Sequence, residues 1–328
     1  MSSLKKEKFI NLSDVEAKDV EWLMPDFIPY NMTTIMEGHP GIGKSYLAMH
    51  IAAQISIGGR LPGTSKTEQG RVLYMSAEDD PSYTIRPRIE AMGGDPDQIR
   101  IQADYLALDD AGFEELLDEI DHYPPELIII DPFFAYVPGN RDILRPNIIR
   151  EYLSKLKTIA EHEEIAVLLI RHLTKTKRDS AVLQGSGGID FVGAARSAFL
   201  VSLHPEDDEI RVIAPVKSNL TDKKGGWMYR LVKDNPDDIP VLQWEGASEI
   251  SADSLHDQSG IERQSKLEEA VEFLKKNLGK GRMKATKVLK LAEVADIKKR
   301  TLDRAKSDLS VISNKEGKFS YWSLPEKD

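Results

Sequence analysis

The stretch "GHPGIGKS" (38–45) satisfies the spacing G-x-x-x-x-G-K-[ST], and its reading decides how the rest of the chain is read. Its flanks matter as much as Gly38, Gly41 and Gly43. A β-branched run, "TTIME" (33–37), leads into it, and Leu47, Ile51 and Ile55 leave it at helical spacing. Strand, glycine-rich turn and helix together let backbone N–H groups and a helix N-terminus face the phosphates of a nucleotide. On that reading Lys44 reaches the β- and γ-phosphates as a point charge, and the Ser45 hydroxyl joins the shell of a Mg2+ ion. His39, Pro40, Ile42 and the following Tyr46 belong to the same nucleotide-binding turn.

Outward from this motif, short apolar runs alternate with segments of helical period. The runs are "TTIME", "RVLYMS" (71–76), "IRIQA" (99–103), "LIIID" (127–131) and "IAVLLI" (165–170); the intervening helices are expected near 44–57, 81–92, 110–122 and 145–162. Strands that are apolar throughout predict an α/β fold with a mainly parallel sheet covered on both faces. After Arg196 the runs "AFLVSL", "IRVIAPV", "GWMYRLV" and "PVLQW" follow one another through turn-like connections, which predicts an antiparallel extension of that sheet.

Two carboxylates complete the nucleotide site. Asp131 ends the apolar strand "LIIID", at the sheet edge where the phosphates are expected, and is placed to hold the metal. "YMSAEDDPS" (74–82) follows the strand after the P-loop helix, so its acidic residues fall on the same edge. Glu78 is assigned to accepting a proton from the attacking water, and Asp80, just before Pro81, to capping a helix. Asp79 has no assigned role.

The polar stretch 246–264 has the composition of a linker between a domain over 1–245 and a smaller one over 265–328. In the latter, three helical patterns precede two short strands around "NKEG", the outline of a winged helix-turn-helix. Charge divides similarly. The 328-residue chain has net charge −10, yet from Ile261 onward it has 17 Lys and Arg against 11 Asp and Glu, leaving 27 against 43 before it. Cysteine is absent, which removes disulfides, thiolate metal sites and thiol nucleophiles. With no apolar leader and no run approaching 18 apolar residues, neither a signal peptide nor a membrane span is expected, and a cytoplasmic location follows.

Taken in order, "VEWLMPDFIPYNMTTIMEGHPGIGKS", "SAEDDPSYTIRPRI", "LIIIDPFFAYV", "RHLTK", "GSGGIDFVGAARSAFLV" and "PVKSNL" resemble RecA-like ATPases of the RepA hexameric-helicase group, which includes many replication ATPases of phages, plasmids and mobile elements. The resemblance covers residues 10–245. It implies ATP as nucleotide, Glu78 as catalytic base, His172 as a polar sensor of the γ-phosphate, and nucleotide contacts by Arg88, with Arg86 as the alternative. It also implies that Arg196 and Lys217 approach nucleotide, one or both across a subunit boundary; Asn219 stands where related helicases carry an Arg, which favours Arg196.

Loops carrying Lys175, Lys177, Arg178 and Lys223 match segments that line the channel of RecA-like rings, where basic residues track a phosphate backbone. In the tail, Ile297, Leu302, Ala305 and Leu309 are expected to face a core while Lys299, Arg300 and Arg304 form a basic face, with Lys318 on the hairpin beside it. The expectation is an ATP-hydrolysing homo-hexamer acting on DNA, with a primase or initiator as further partner. The alternative is a nucleotide-gated DNA-binding assembly factor that does not unwind.

Overall fold

The computed structural model describes residues 10–64, 68–139, 146–173, 191–193, 195–221, 225–257, 260–279, 281–295, 297, 299–316 and 319–325. The chain divides into two compact units, Met1–Asp253 and Ser254–Asp328.

The larger unit is built on a nine-stranded sheet of order β11-β10-β9-β8-β3-β7-β6-β4-β5. Its central strands are β3 (Met32–Gly38), β4 (Val72–Ser76), β5 (Ile99–Ile101), β6 (Leu127–Asp131), β7 (Ala166–His172) and β8 (Ser197–Leu203), all parallel. Then β9 (Ile210–Ser218), β10 (Gly226–Val232) and β11 (Val241–Ser248) add on antiparallel. A short hairpin, β1 (Trp22–Met24) with β2 (Ile28–Pro29), precedes β3. The result is an α/β architecture with a large, mostly parallel mixed sheet. "AFLVSL" was expected in the antiparallel extension; it forms β8, which runs parallel to β3 and opens the antiparallel part only on its other side.

Alternate residues of each central strand enter different cores. Leu127 and Ile129 pack with α1 (Lys44–Ser56) and α2 (Arg86–Ala91), while Ile128 and Ile130 pack with α3 (Asp110–His122) and α4 (Pro146–Glu163). This double burial explains why the strands read as unbroken apolar runs. Between β4 and α2 the chain makes a wide helical turn, Pro81–Ile85, in which the Ile85 N–H reaches back five residues to the Asp80 carbonyl. Such widened turns occur often at functional sites.

The polar stretch expected as a linker is largely ordered. It holds the end of β11, a helix over Ala252–Asp257 and the start of the helix Gly260–Leu278. The division between the two units, after Asp253, falls inside this stretch. In the smaller unit, helices Gly260–Leu278, Ala285–Val294 and Lys299–Asp308 enclose Leu274, Leu278, Val288, Leu302, Ala305 and Trp322, with Ile297 and Leu309 packed against them. A three-stranded antiparallel sheet, Met283–Lys284, Phe319–Ser323 and Ile312–Glu316 in that order, completes the unit.

Gly38 is required where β3 meets the turn, because a Cβ there would lie 2.5 Å from the Val201 carbonyl oxygen of β8. Gly38→Ala should lower unfolding stability by about 1–3 kcal/mol through overpacking, read from denaturant midpoints. Gly139→Ala, where a Cβ meets nothing within 4 Å among the described residues, should stay within about 0.5 kcal/mol of the parent.

Candidate active site

Parallel strands bring their C-terminal ends to one edge, and register decides which residues meet there. Gly38 pairs with His172 and Ser76 with Asp131, so the P-loop, the Glu78 turn, Asp131 and His172 emerge from four adjacent strands. Gly41 and Gly43 have φ values of 75° and 98°, a left-handed backbone that favours glycine, and Gly43 directly precedes α1. Around them the turn is open: Pro40 and Gly41 are exposed, while His39 and Ile42 are half-buried.

Lys44 is buried and donates from Nζ to the carbonyls of Gly38 (2.8 Å) and His39 (2.9 Å). Burial lowers its pKa to about 8, against the pull of Asp131 and Glu78. A buried ammonium bonded only to neutral carbonyls is well matched to a phosphate. Asp131 is also buried, and burial raises its pKa to about 6 although the Ser45 hydroxyl donates to it and Lys44 is near. Ser45 and Asp131 therefore form a hydroxyl-carboxylate pair of the oxygen type that Mg2+ takes.

Glu78 is largely exposed, with Oε2 3.6 Å from His172 Nε2, longer than a hydrogen bond. Burial and then Lys44 lower the His172 pKa while Glu78 opposes them, so the site disfavours the charged imidazolium. Its Nδ1 is buried with no hydrogen-bond partner among the described residues, leaving a polar atom for water or a phosphate oxygen. Asp80 caps the wide turn, its Oδ1 accepting from the N–H groups of Ser82 and Tyr83, both at 2.8 Å. Of the two arginines in the next helix, Arg86 pairs with Glu90 in solvent, whereas Arg88 lies 4.3 Å over the Tyr46 ring, beside the P-loop helix.

Arg196 and Lys217 lie elsewhere. Arg196 is exposed just before β8, and Lys217 pairs with Ala198 near the start of that strand. Both sit at the edge opposite the P-loop, so neither reaches the nucleotide site of its own chain. Lys217 instead donates to the carbonyls of Val192, Gly193 and Ala195 at 3.3, 2.7 and 3.0 Å. The cation of β9 that does meet the P-loop is Arg211, which sequence reasoning missed. Its Nε donates to the Ile42 carbonyl at 3.3 Å and lies 3.4 Å from where a Gly43 Cβ would stand. Counting the antiparallel register back from Lys217 would have found it.

Lys299 and Arg304 are exposed on their helix, which also contains Arg300. Lys175, Lys177, Arg178, Lys223 and Lys318 lie outside the described residues. No helix among the described residues is long and apolar enough to cross a membrane.

Residues 2–178, more than half the chain, match the family model described as an AAA domain. The chain is also similar to "DNA repair protein RadA" of Streptococcus pneumoniae (22% identical over 168 residues, 51% of this chain and 36% of the relative). Similar proteins of the same name occur in Listeria monocytogenes (27% identical, 48% of this chain and 33% of the relative) and Mycobacterium tuberculosis (28%, 43% and 27%). The chain thus spans about a third of the length of these relatives.

A cation needs Asp131 ionised, and the pKa near 6 sets where that is lost. Mg2+-dependent nucleotide affinity should therefore weaken as pH falls through about 6. Asp131→Asn should be weak throughout and flat between roughly pH 5.5 and 7.5, measured by titrating a fluorescent nucleotide with and without Mg2+.

Proposed function

The chain belongs to the AAA domain family, and from that premise we propose an ATP-hydrolysing motor that forms a ring, a homo-hexamer, and acts on DNA as a replicative helicase or translocase of a phage or other mobile element. The observation that carries the enzymatic reading is the convergence of Lys44, Ser45, Asp131, Glu78 and His172 on one sheet edge. Similarity to proteins named for DNA repair supports DNA as the partner and keeps a repair motor as the second reading. The sequence resemblance supports the RepA-like group and a primase or initiator as further partner.

In the proposed reaction the P-loop amides and Lys44 hold the β- and γ-phosphates. Water attacks the γ-phosphorus, its proton passes to the Glu78 carboxylate, and the bond from phosphorus to the β–γ bridging oxygen breaks, giving ADP and phosphate. Ser45 and Asp131 would hold a Mg2+ ion, which would supply charge to neutralise the phosphates. His172 orients water or a γ-phosphate oxygen. Arg196, remote from its own P-loop, acts in this reading on the nucleotide of the neighbouring subunit, where a cation stabilises the transferring phosphate. The smaller unit is read as a winged helix whose Lys299, Arg300 and Arg304 face duplex phosphates. Lys175, Lys177, Arg178 and Lys223 are assigned to single strands in the channel.

Glu78→Gln should retain ATP binding while turnover falls on the order of 10²–10⁴-fold; turnover at the parent rate would remove its role as base. Fork unwinding should require ATP, and deleting residues 261–328 should weaken duplex binding. Absence of any unwinding or translocation would favour the assembly-factor reading. If Arg196 acts across an interface, mixing Arg196→Ala with Glu78→Gln subunits should restore activity that neither has alone.

A further inference from the structure

Of the three acidic residues in "AEDDPS" (77–82), Asp80 caps the wide turn and Glu78 faces His172; Asp79 points to a different set of partners. Its N–H donates to the Ser76 Oγ at the end of β4 (3.1 Å), and its carboxylate lies 3.8 Å from Arg88 Nη1. The Arg88 guanidinium in turn stacks over Tyr46 of α1. These side chains link the turn after β4 to the P-loop helix. The pair is well sheltered, with Arg88 and Asp79 exposed only 26% and 25%. An ion pair in such surroundings, with its cation on an aromatic face, is screened less than one in open solvent.

We propose that Asp79, Arg88 and Tyr46 form a strap that ties the Glu78 turn to the P-loop helix, making Asp79 and Arg88 positioning residues for the Glu78 carboxylate. Backbone and capping contacts fix Ser76, Asp79 and Asp80, but among the described residues nothing else pins the Glu78 side chain beyond its approach to His172. Helix α1 carries Lys44 and Ser45, so the strap holds the base in register with the groups that hold phosphate and metal. A 1 Å displacement of a reacting group can cost about a hundredfold in rate. The consequence for catalysis rests on the role proposed for Glu78; the strap itself does not. The strap also assigns Arg88 a task other than binding nucleotide.

The test reads the His172 imidazole by NMR titration in full-length protein, its resonance identified by its loss in His172→Gln. Glu78 raises the His172 pKa and Lys44 lowers it. If the strap holds Glu78 close, Arg88→Gln releases it and the His172 pKa falls. Removal of a positive charge acting only through space would raise that pKa, so the sign separates the two. Asp79→Asn should lower it too, and the double variant should go no further than the larger single effect. A rise or no change in Arg88→Gln overturns the strap.

Steady-state kinetics and nucleotide binding supply the second reading. Both single variants should lose on the order of ten- to a hundredfold in kcat, with the Kd for ATP within about twofold. A rise in Kd for Arg88→Gln that accounts for the lost activity would make Arg88 a nucleotide ligand and overturn the assignment. If the parent protein hydrolyses no ATP, the proposed reaction fails while the titration still decides the strap.

Discussion

Glu37 and Arg171 face each other where β3 pairs with β7, both fully buried, and the guanidinium donates to Glu37 Oε2 through Nε at 2.8 Å and also through Nη2. The next residues along the two strands are Gly38 and His172, the start of the P-loop and the imidazole that meets Glu78. A slip of one residue would turn each side chain to the opposite face of the sheet. It would also separate two buried charges, and an uncompensated buried charge costs about 3–5 kcal/mol. The pair therefore fixes the register from which the site's distances follow. Arg171 also covers the Phe191 ring at 4.8 Å, tying the same register to the core on the α3 and α4 side.

Within that frame the nucleotide site is held at an electrostatic cost. Lys44 and Asp131 are both buried, and burial pushes the lysine down to about 8 and the carboxyl up to about 6. In each case the shift opposes the charged form that a phosphate or a cation needs. A ligand carrying both charges would offset the two penalties together, so binding and ionisation at this site are coupled. Burial of a cation and a carboxylate without a direct ion pair is hard to explain by packing alone.

Much of this was legible because local signals and tertiary placement agreed. "LIIID" forms β6 at its full expected length, and α3 spans 110–122 as read, since strands buried on both faces and an amphipathic helix leave strong periodicity. Asp80 before Pro81 gave the cap, a purely local device. Strand direction was not legible. "AFLVSL" was expected in the antiparallel extension, but β8 runs parallel to β3, so Arg196 and Lys217 lie at the far edge, while β9 starts at the P-loop edge with Arg211 and runs away from it. A strand's polarity depends on its partner, which sequence periodicity does not encode. The polar stretch after β11 contains the division between the two compact units, and also a short helix, Ala252–Asp257, whose few large apolar residues hid it although Ala252 and Leu255 are buried.

The acidic triplet shows how one turn gives three neighbouring carboxylates different environments. A strand alternates its side chains between faces, whereas a helix start rotates them by about 100° per residue. At the junction, Glu78 faces the sheet edge, Asp79 turns toward Arg88 of α2, and Asp80 folds back onto the N–H groups of the turn. Asp79 is also the one whose carboxyl burial raises, with Arg88 opposing that shift and Glu78 adding to it. A carboxylate whose charge is disfavoured by burial gains most from an adjacent cation. That gain draws Asp79 to Arg88 and leaves Glu78, beside it, free to face solvent and His172.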